Sequence, residues 1–357
     1  MMPGEGDSDR RRGTGWRLAL RLGVTGALLV ALLAKAPHPS ELLPDGHLDT
    51  LLLLAAAVVT TFVGVVLAAW RWQRVLRLFG VTLPLLVLTR HCLSGMFVGN
   101  VLPSTIGGDV VRVTRVGAAT GSPSDAFGSV ALERLTGFVA LPLLVAVGIL
   151  IHPSVLDAGH IWLPILVAGA TLALLTLILT AAGHPRLAGR FTDHENWARY
   201  LGAVHRGVDR LRRDPAQIGP VVATAVAYQC SVVAVYALIF RALGIPVAVG
   251  ALLVYAPAVL MLQVLPVSLA GLGVREGTLV LLLHGTLARA GLPDSRAVAA
   301  GLLWYGCTLL VSMLGAPAFA FGGSRHRAAE TGSAPESTPE STPTGADPHA
   351  PDRGSAP

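Results

Sequence analysis

The sequence predicts an all-α polytopic membrane helix bundle with two Pro/Gly-interrupted, re-entrant segments and an internal repeat. Two observations predict this fold. Hydrophobic residues make up 53% of the 357 residues and charged residues 13%, whereas soluble domains carry about 25% charged residues. In addition, apolar runs long enough to cross a bilayer recur along the chain, and a motif of proline, glycine and arginine occurs once in each half.

The N-terminal region predicts a cytoplasmic tail and a first membrane helix. Residues 1–17 are polar and contain three consecutive arginines, which favour the cytoplasmic side. The apolar run Leu18–Ala34 follows. An A-x-A motif ends at Ala36 and would fit a signal-peptide cleavage site, but Pro37 directly after it would hinder cleavage. We therefore favour an uncleaved anchor in the cell membrane.

Arginine placement orients the next segments, because cytoplasmic loops are enriched in Lys and Arg. The loop Pro37–Asp49 has no basic residue and is predicted to lie outside, and a helix over about Thr50–Ala69 returns the chain to the cytoplasm. Three arginines follow that helix on the inside, Arg71, Arg74 and Arg77. The loop His152–His160 is then outside, and the arginine-rich stretch Gly183–Gln217 is inside, joined by a helix over Trp162–Ala182.

These assignments require an odd number of crossings between Arg77 and His152. The interval holds two apolar segments, Val81–Leu102 and Ala126–Ile151. If both crossed the membrane fully, the loop His152–His160 would lie in the cytoplasm instead of outside. The number of crossings becomes odd if the first segment enters from the cytoplasm and turns back. Charge placement therefore predicts a re-entrant hairpin there.

The turn of that hairpin resembles a later stretch of the chain. Val101-Leu102-Pro103 is followed after eight residues by Arg112, and Val264-Leu265-Pro266 is followed after eight residues by Arg275. Both intervals contain two glycines. Paired Pro/Gly-interrupted segments in the two halves of a membrane protein indicate a substrate site at the repeat interface. Inverted repeats would make the second hairpin enter from outside.

The remaining apolar segments complete the predicted membrane domain, residues 18–322. They are Ile218–Phe240, Val249–Leu265, Val274–Leu287 and Ala297–Phe321. Residues 323–357 are rich in Pro, Ser, Thr and Glu, so they are predicted to form a disordered tail.

Ionisable residues inside these segments are the candidate binding residues, since charges in hydrocarbon are costly. The predicted helix N-cap is Asp109, after a glycine pair whose amides could bind an anion such as a lipid phosphate. Its carboxylate could instead bind an amine or pair with Arg112, and Glu133 could pair with Arg112 across helices. Structural ion pairing alone would also explain these residues. The predicted substrate-binding residues are Asn100, Pro103, Gly107, Gly108, Asp109, Arg112, Glu133, Arg134, Pro266, Gly271, Gly273, Arg275 and Glu276.

Several classes of protein are disfavoured. The three cysteines are far apart and show no metal spacing, and no GxSxG, HExxH or phosphate-loop motif occurs. We therefore predict no catalytic residue, cofactor or metal. The net charge is +6, and most of the basic residues lie beside apolar segments. Basic residues at these positions favour anionic lipid head groups over nucleic acid as the partner.

Three blocks resemble a known family. Asn100–Arg112, Ala131–Gly137 and Leu265–Gly277 look like the signature blocks of the lysylphosphatidylglycerol synthase transmembrane family, also called flippase-like proteins. The resemblance implies a membrane domain that translocates lipids between leaflets. It also implies that an aminoacyl-transferase domain would follow in the bifunctional members, and no such domain is expected in this chain.

The predicted function is binding and translocation of an anionic phospholipid or a polyprenyl-phosphate-linked lipid. Two alternatives stay open. One is a membrane-embedded glycosyltransferase or its accessory subunit, with Asp109 or Glu133 as base. The other is a non-transporting scaffold for an envelope-biosynthesis enzyme. The oligomeric state and the side of the C-terminus are left open.

Overall fold

The computed structural model describes residues 48–101, 107–157, 159–184, 198–264 and 271–321. Within these residues the chain is 88% helical, has no strand and forms eleven α-helices, which confirms the all-α fold class. The predicted first membrane helix, the C-terminal tail, Pro103 and Pro266 lie outside the described residues. The chain divides into two compact units, Met1–Phe319 and Ala320–Pro357, and the sites described below lie in the first.

The helices follow one another through short connections. They are α1 (Leu48–Leu78), α2 (Leu85–Val101), α3 (Gly107–Thr120), α4 (Pro123–Ile151), α5 (Trp162–Gly183), α6 (Ala198–Arg213), α7 (Ile218–Ala242), α8 (Val249–Gln263), α9 (Val274–Arg289), α10 (Ser295–Met313) and α11 (Gly315–Phe321). Five of them are long and apolar enough to cross a membrane: α1, α4, α5, α7 with its preceding turn, and α10. The polytopic character of the bundle follows from these five.

Helix α6 joins three helix ends at one end of the bundle. Arg210 donates to the carbonyl of Leu78 at the end of α1, at 2.6 Å, and Arg212 donates to the carbonyl of Gly183 at the end of α5, at 3.2 Å. Arg206 pairs with Asp125 at the start of α4, at 2.8 Å. Guanidinium groups at helix C-termini satisfy carbonyls that have no partner within the helix.

Helices α2 and α3 form the first hairpin, residues 85–120. Its two arms touch through glycine, because a Cβ on Gly95 would lie 2.7 Å from the carbonyl oxygen of Gly108. The hairpin starts shortly after α1 ends and finishes just before α4 begins, so its open end lies on the α6 side. The hairpin therefore returns to the side from which it starts, as the charge parity predicts.

Helices α8 and α9 form the second hairpin, residues 249–289, at the opposite end. The start of α8 packs against the end of α4, where a Cβ on Gly148 would lie 2.8 Å from the carbonyl oxygen of Gly250. Since the start of α4 lies beside α6, the two hairpins open at opposite ends of the bundle. This is the arrangement that inverted repeats predict.

Three features of the helices differ from the sequence prediction. Helix α1 continues to Leu78 instead of ending near Ala69, so Arg71 lies within the helix and is buried. The predicted polar loop 183–217 contains the amphipathic helix α6. The last segment divides near Leu314, and Gly315 packs against Leu93, so α11 begins beside the first hairpin.

Candidate functional site

The centre of the site is Glu133 in α4, which is 1% exposed and lies between two arginines. Its Oε1 accepts a hydrogen bond from Arg71 Nε at 2.7 Å and a second one from Arg71 Nη2. Its Oε2 accepts from Arg112 Nη1 at 3.3 Å and Nη2 at 3.2 Å. The cross-helix pair between Glu133 and Arg112 is thus observed. A carboxylate enclosed by two guanidinium groups is stabilised in its charged form by both.

A second carboxylate, Asp109, connects α3 to α4. Arg134 donates to it through Nη2 at 2.8 Å and through Nε at 3.1 Å, and Arg112 lies 3.4 Å from the same carboxylate. The prediction that Asp109 is the N-cap of its helix is wrong, because α3 already begins at Gly107. Among the described residues, the side chains that bond to its carboxylate are those of Arg134 and Arg112.

Arg71 is the site residue that the sequence prediction missed. It is buried in α1, and its guanidinium lies 5.0 Å from the ring centroid of Tyr228. A Cβ on Gly137 would lie 2.7 Å from Arg71 Nη1, so the glycine leaves the space that the guanidinium fills. Arg71 lies seven residues after the buried Gly64, on the same helical face. Extending this periodicity past Ala69 would have found it.

These five residues form what we call the arginine cluster: Arg71, Asp109, Arg112, Glu133 and Arg134. Three guanidinium groups face two carboxylates, which leaves one positive charge in excess. The guanidinium of Arg112 also stacks 4.1 Å from the ring centroid of Trp72. Excess positive charge in a poorly hydrated site favours an anion.

Buried donors near the cluster lack acceptors. Two donors of the cluster itself, Arg71 Nη1 and Arg112 Nε, have no hydrogen-bond partner within the part of the chain that the structure describes. The same holds for Asn100 Nδ2, near the end of α2. A buried N–H group without an acceptor costs about 1–3 kcal/mol. An oxyanion bound beside them would remove that penalty.

The cluster borders an apolar groove of about 530 Å³ between α4, α5 and α6. Arg134 lines this groove with a side chain that is 53% exposed, while its other neighbours there are apolar. These neighbours are Phe127, Ala131, Leu135, Phe138, Ile178, Ala181, Ala182, Leu201 and Val204. An arginine at the edge of an apolar groove matches an amphipathic anion that has a hydrocarbon chain.

The second hairpin carries a smaller, closed pair. Arg275 Nη2 donates to Glu276 Oε1 at 2.7 Å, and both residues are fully buried. Glu276 Oε2 accepts from the backbone amide of Gly273 at 2.7 Å, which holds the start of α9. Gly271 and Gly273 have φ angles of 73° and 85°, a region that favours glycine. A Cβ on Gly301 would lie 2.9 Å from Cγ of Glu276, so this glycine leaves space for Glu276, as Gly137 leaves space for Arg71.

The predicted residues therefore form two groups. Between the described side chains of the arginine cluster and those of the Arg275–Glu276 pair there is no ion pair. The first group has excess positive charge and borders a groove, whereas the second is neutral and enclosed by Trp304 and Tyr305. Gly107 and Gly108 open α3, the helix that carries Asp109 and Arg112, and Asn100 lies near the end of α2, the other arm of that hairpin. Gly271 and Gly273 lie just before α9, at the second group.

The fold and the two clusters define an integral membrane protein built on two oppositely oriented helical hairpins. Comparison with known families matches residues 18–315 to the Lysylphosphatidylglycerol synthase TM region. The chain belongs to this family. The matched range includes both hairpins and both charged groups. Searches of curated proteins and of solved structures found no match.

Proposed function

We propose that the protein binds an anionic lipid at the arginine cluster and translocates it between leaflets of the cell membrane. The lipid is a phospholipid or a polyprenyl-phosphate-linked molecule. The observation that carries the proposal is the combination of excess guanidinium charge with buried N–H donors that have no acceptor among the described residues. Phosphate oxygens satisfy such donors, and guanidinium groups bind phosphate in a bidentate manner.

The groove beside Arg134 supports a lipid over a soluble anion. Its apolar walls would hold part of a hydrocarbon chain while the phosphate reaches Arg134 and Arg112. On binding, the phosphate competes with Asp109 for Arg134, because that carboxylate is the ion-pair partner of the partly exposed guanidinium. Asp109 is then available to balance charge or to contact an amine of the head group.

The proposed movement uses the two hairpins. They open at opposite ends of the bundle, and their inner ends carry the arginine cluster and the Arg275–Glu276 pair. Rocking or gating of one half against the other would expose the lipid site to each leaflet in turn. Glu133 acts as a fixed anion that positions Arg71 and Arg112, since both of its oxygens already accept hydrogen bonds from them. This arrangement does not favour Glu133 as a catalytic base.

The first test is mass spectrometry of lipids that copurify with the protein. Wild type, Arg112→Ala and Arg241→Ala would be purified in the same detergent and compared with the bulk membrane. Arg241 is the matched control, an exposed arginine in the last turn of α7. We expect one anionic lipid to be enriched in wild type and control and reduced about tenfold or more in Arg112→Ala, because charge-assisted hydrogen bonds are lost.

The enriched lipid then enters a leaflet-exchange assay in reconstituted vesicles. Arg112→Lys checks folding, since it retains the charge but loses the bidentate geometry. Bulk lipid composition in all samples would contradict the lipid site. Retention of the lipid without exchange between leaflets would contradict translocation and favour a scaffold for an envelope-biosynthesis enzyme.

A further inference from the structure

A polar pocket of about 570 Å³ lies at the end of the bundle opposite α6. Its walls come from the turn after α4, from the start of α8 and from the end of α9. The polar side chains that line it include Ser154, Asp157, His160, Tyr255, Thr286 and Arg289. The volume is in the range of sites for small ligands. None of these residues belongs to the arginine cluster or to the Arg275–Glu276 pair.

Two opposite charges line this pocket without neutralising each other. The carboxylate of Asp157 and the guanidinium of Arg289 form no ion pair together, and within the described chain neither has an oppositely charged side-chain partner. The one hydrogen bond that the Arg289 side chain makes there is from Nε to the carbonyl of Gly285, one turn earlier. Its terminal nitrogens are therefore available to a ligand. A ligand with a negative and a positive group would satisfy both residues.

Neutral polar groups line the same pocket as these charges. Tyr255 is 5% exposed, and its hydroxyl makes no hydrogen bond to another described residue. The imidazole of His160 is likewise without a partner in the described part of the chain. A hydroxyl and an imidazole can each donate or accept a hydrogen bond, so they suit the ester and hydroxyl oxygens of a small polar ligand.

The walls of the pocket are packed closely. A Cβ on Gly250 would collide with the side chain of His152, so α8 lies directly against the turn after α4. The His152 ring in turn contacts the hydroxyl of Ser154 at 3.2 Å. Close packing of this kind holds a site in shape before the ligand arrives, which lowers the entropy lost on binding.

We infer that this pocket binds a phosphate ester that carries an ammonium group, with Arg289 on the phosphate and Asp157 on the ammonium. The inference goes beyond the proposed lipid translocation, because the pocket and the arginine cluster lie at different places in the bundle. The ligand chemistry has two possible sources, the head group of a zwitterionic phospholipid or a water-soluble phosphoethanolamine ester.

The probe is sn-glycero-3-phosphoethanolamine, titrated onto the purified full-length protein in detergent and followed by calorimetry or ligand-observed NMR. Glycerol 3-phosphate and ethanolamine carry one charged group each and are the control ligands. We expect saturable binding in the millimolar range or tighter. The complete ligand should bind about tenfold more tightly than either control ligand, because it engages both charges.

Variants assign the two charges. Arg289→Gln should weaken binding of glycerophosphoethanolamine and glycerol 3-phosphate by about tenfold, whereas Asp157→Asn should weaken binding of glycerophosphoethanolamine and ethanolamine and leave glycerol 3-phosphate unchanged. Arg112→Ala should bind the probe as wild type does, which separates this pocket from the proposed lipid site. Absence of saturable binding to wild type would overturn the inference. It would also be overturned if Asp157→Asn left the preference for the complete ligand unchanged.

The source of the ligand is decided in nanodiscs. If discs of phosphatidylethanolamine weaken binding of the soluble probe and discs of phosphatidylglycerol do not, the pocket takes a lipid head group. If binding of the probe is the same in both discs, the pocket takes the water-soluble ester.

Discussion

At the scale of single residues, Glu133 holds the first site together. It is buried, and its two oxygens bind arginines from two other helices, Arg71 of α1 and Arg112 of α3. A buried ion pair contributes little net stability compared with apolar residues, but removal of one partner leaves an uncompensated charge. The cluster therefore constrains the positions of α1, α3 and α4. The arginines that make these contacts are the same ones that could bind a lipid phosphate.

We predict strong coupling between Arg71 and Glu133 in stability. Arg71→Met and Glu133→Gln should each lower the free energy of unfolding by about 3 kcal/mol. The double variant should lose less than the sum of the two, by about 1 kcal/mol or more, because it leaves no unpaired partner from this pair. The measurement is a double-mutant cycle by titration with sodium dodecyl sulfate in mixed micelles.

Arg213→Ala is the control for that cycle. Arg213 pairs with Asp209 one turn earlier on α6, and its side chain is 78% exposed, so its loss should change stability by about 0.5 kcal/mol or less. Strictly additive effects of Arg71→Met and Glu133→Gln would show that the pair does not act as a unit.

The sequence predicted part of this site. The pair of Glu133 with Arg112 was predictable, because each interrupts an apolar segment and each needs a partner of opposite charge. Arg71 was assigned to a cytoplasmic flank, since an arginine after an apolar run usually marks the membrane surface. The periodicity of the buried face of α1, extended past Ala69, would have placed Arg71 in the interior, but its partner Glu133 is known only from the tertiary contact. The role of Asp109 also depended on a tertiary contact, with Arg134.

At the scale of elements, close glycine contact makes the first hairpin compact. A Cβ on Gly108 would lie 2.5 Å from the carbonyl oxygen of Gly95, so the two arms touch backbone to backbone. Small residues at helix interfaces allow this approach in membranes, where packing replaces the hydrophobic effect as the source of association. The contact lies beside Arg112, whose Cγ would be 3.2 Å from a Cβ on Gly95. The position of the hairpin arms therefore sets the position of the arginine.

We predict that Gly108→Ala separates the arms of the hairpin. The added methyl has no space, and overpacking of this kind typically costs about 1–3 kcal/mol. The expected results are a lower melting temperature in detergent and reduced copurification of the anionic lipid. Gly169→Ala in α5 is the matched control, because a Cβ there meets no atom within 4 Å.

The control substitution should leave melting unchanged or raise it slightly, since alanine favours a helix over glycine by about 1 kcal/mol. Equal melting temperatures for Gly108→Ala and Gly169→Ala would contradict the role of the glycine contact.

Elements were predicted unequally well. The long apolar helices and the first hairpin followed from hydropathy and charge parity, both of which report on the membrane directly. Helix α6 was missed, because seven arginines between Gly183 and Gln217 give the segment the composition of a polar loop. Its apolar residues, such as Ala203 and Val208, are buried on one face, and only that periodicity distinguishes it from a loop.

At the scale of the whole molecule, two hairpins of similar length open at opposite ends of one bundle. The end that carries α6 has arginines bound to the ends of α1 and α5. The other end carries the polar pocket of Asp157 and Arg289. The end of α6 carries more arginines than the opposite end, where Arg241, Arg289 and Arg296 lie. Because cytoplasmic segments are enriched in basic residues, we expect α6 to lie on the cytoplasmic side.

Cysteine labelling in intact cells tests this orientation. The three native cysteines would be replaced by serine, and single cysteines would be introduced by Leu156→Cys, Arg213→Cys and Val235→Cys. Leu156 is 48% exposed in the turn after α4, Arg213 is exposed at the end of α6, and Val235 is buried in α7. A membrane-impermeant maleimide should label the cysteine of Leu156→Cys from outside and that of Arg213→Cys only after permeabilisation. Val235→Cys should stay unlabelled in both conditions.

The labelling pattern distinguishes a wrong membrane orientation from a wrong placement of the two hairpins. Reversed labelling of Leu156→Cys and Arg213→Cys would keep the fold and invert the orientation, which would put the arginine cluster nearer to the outer leaflet. Labelling of both from outside would contradict the opposite placement of the two hairpins.

Alternating access to a single lipid site depends on that placement, because each hairpin then opens toward a different leaflet. With the expected pattern, the groove beside Arg134 faces the cytoplasmic leaflet.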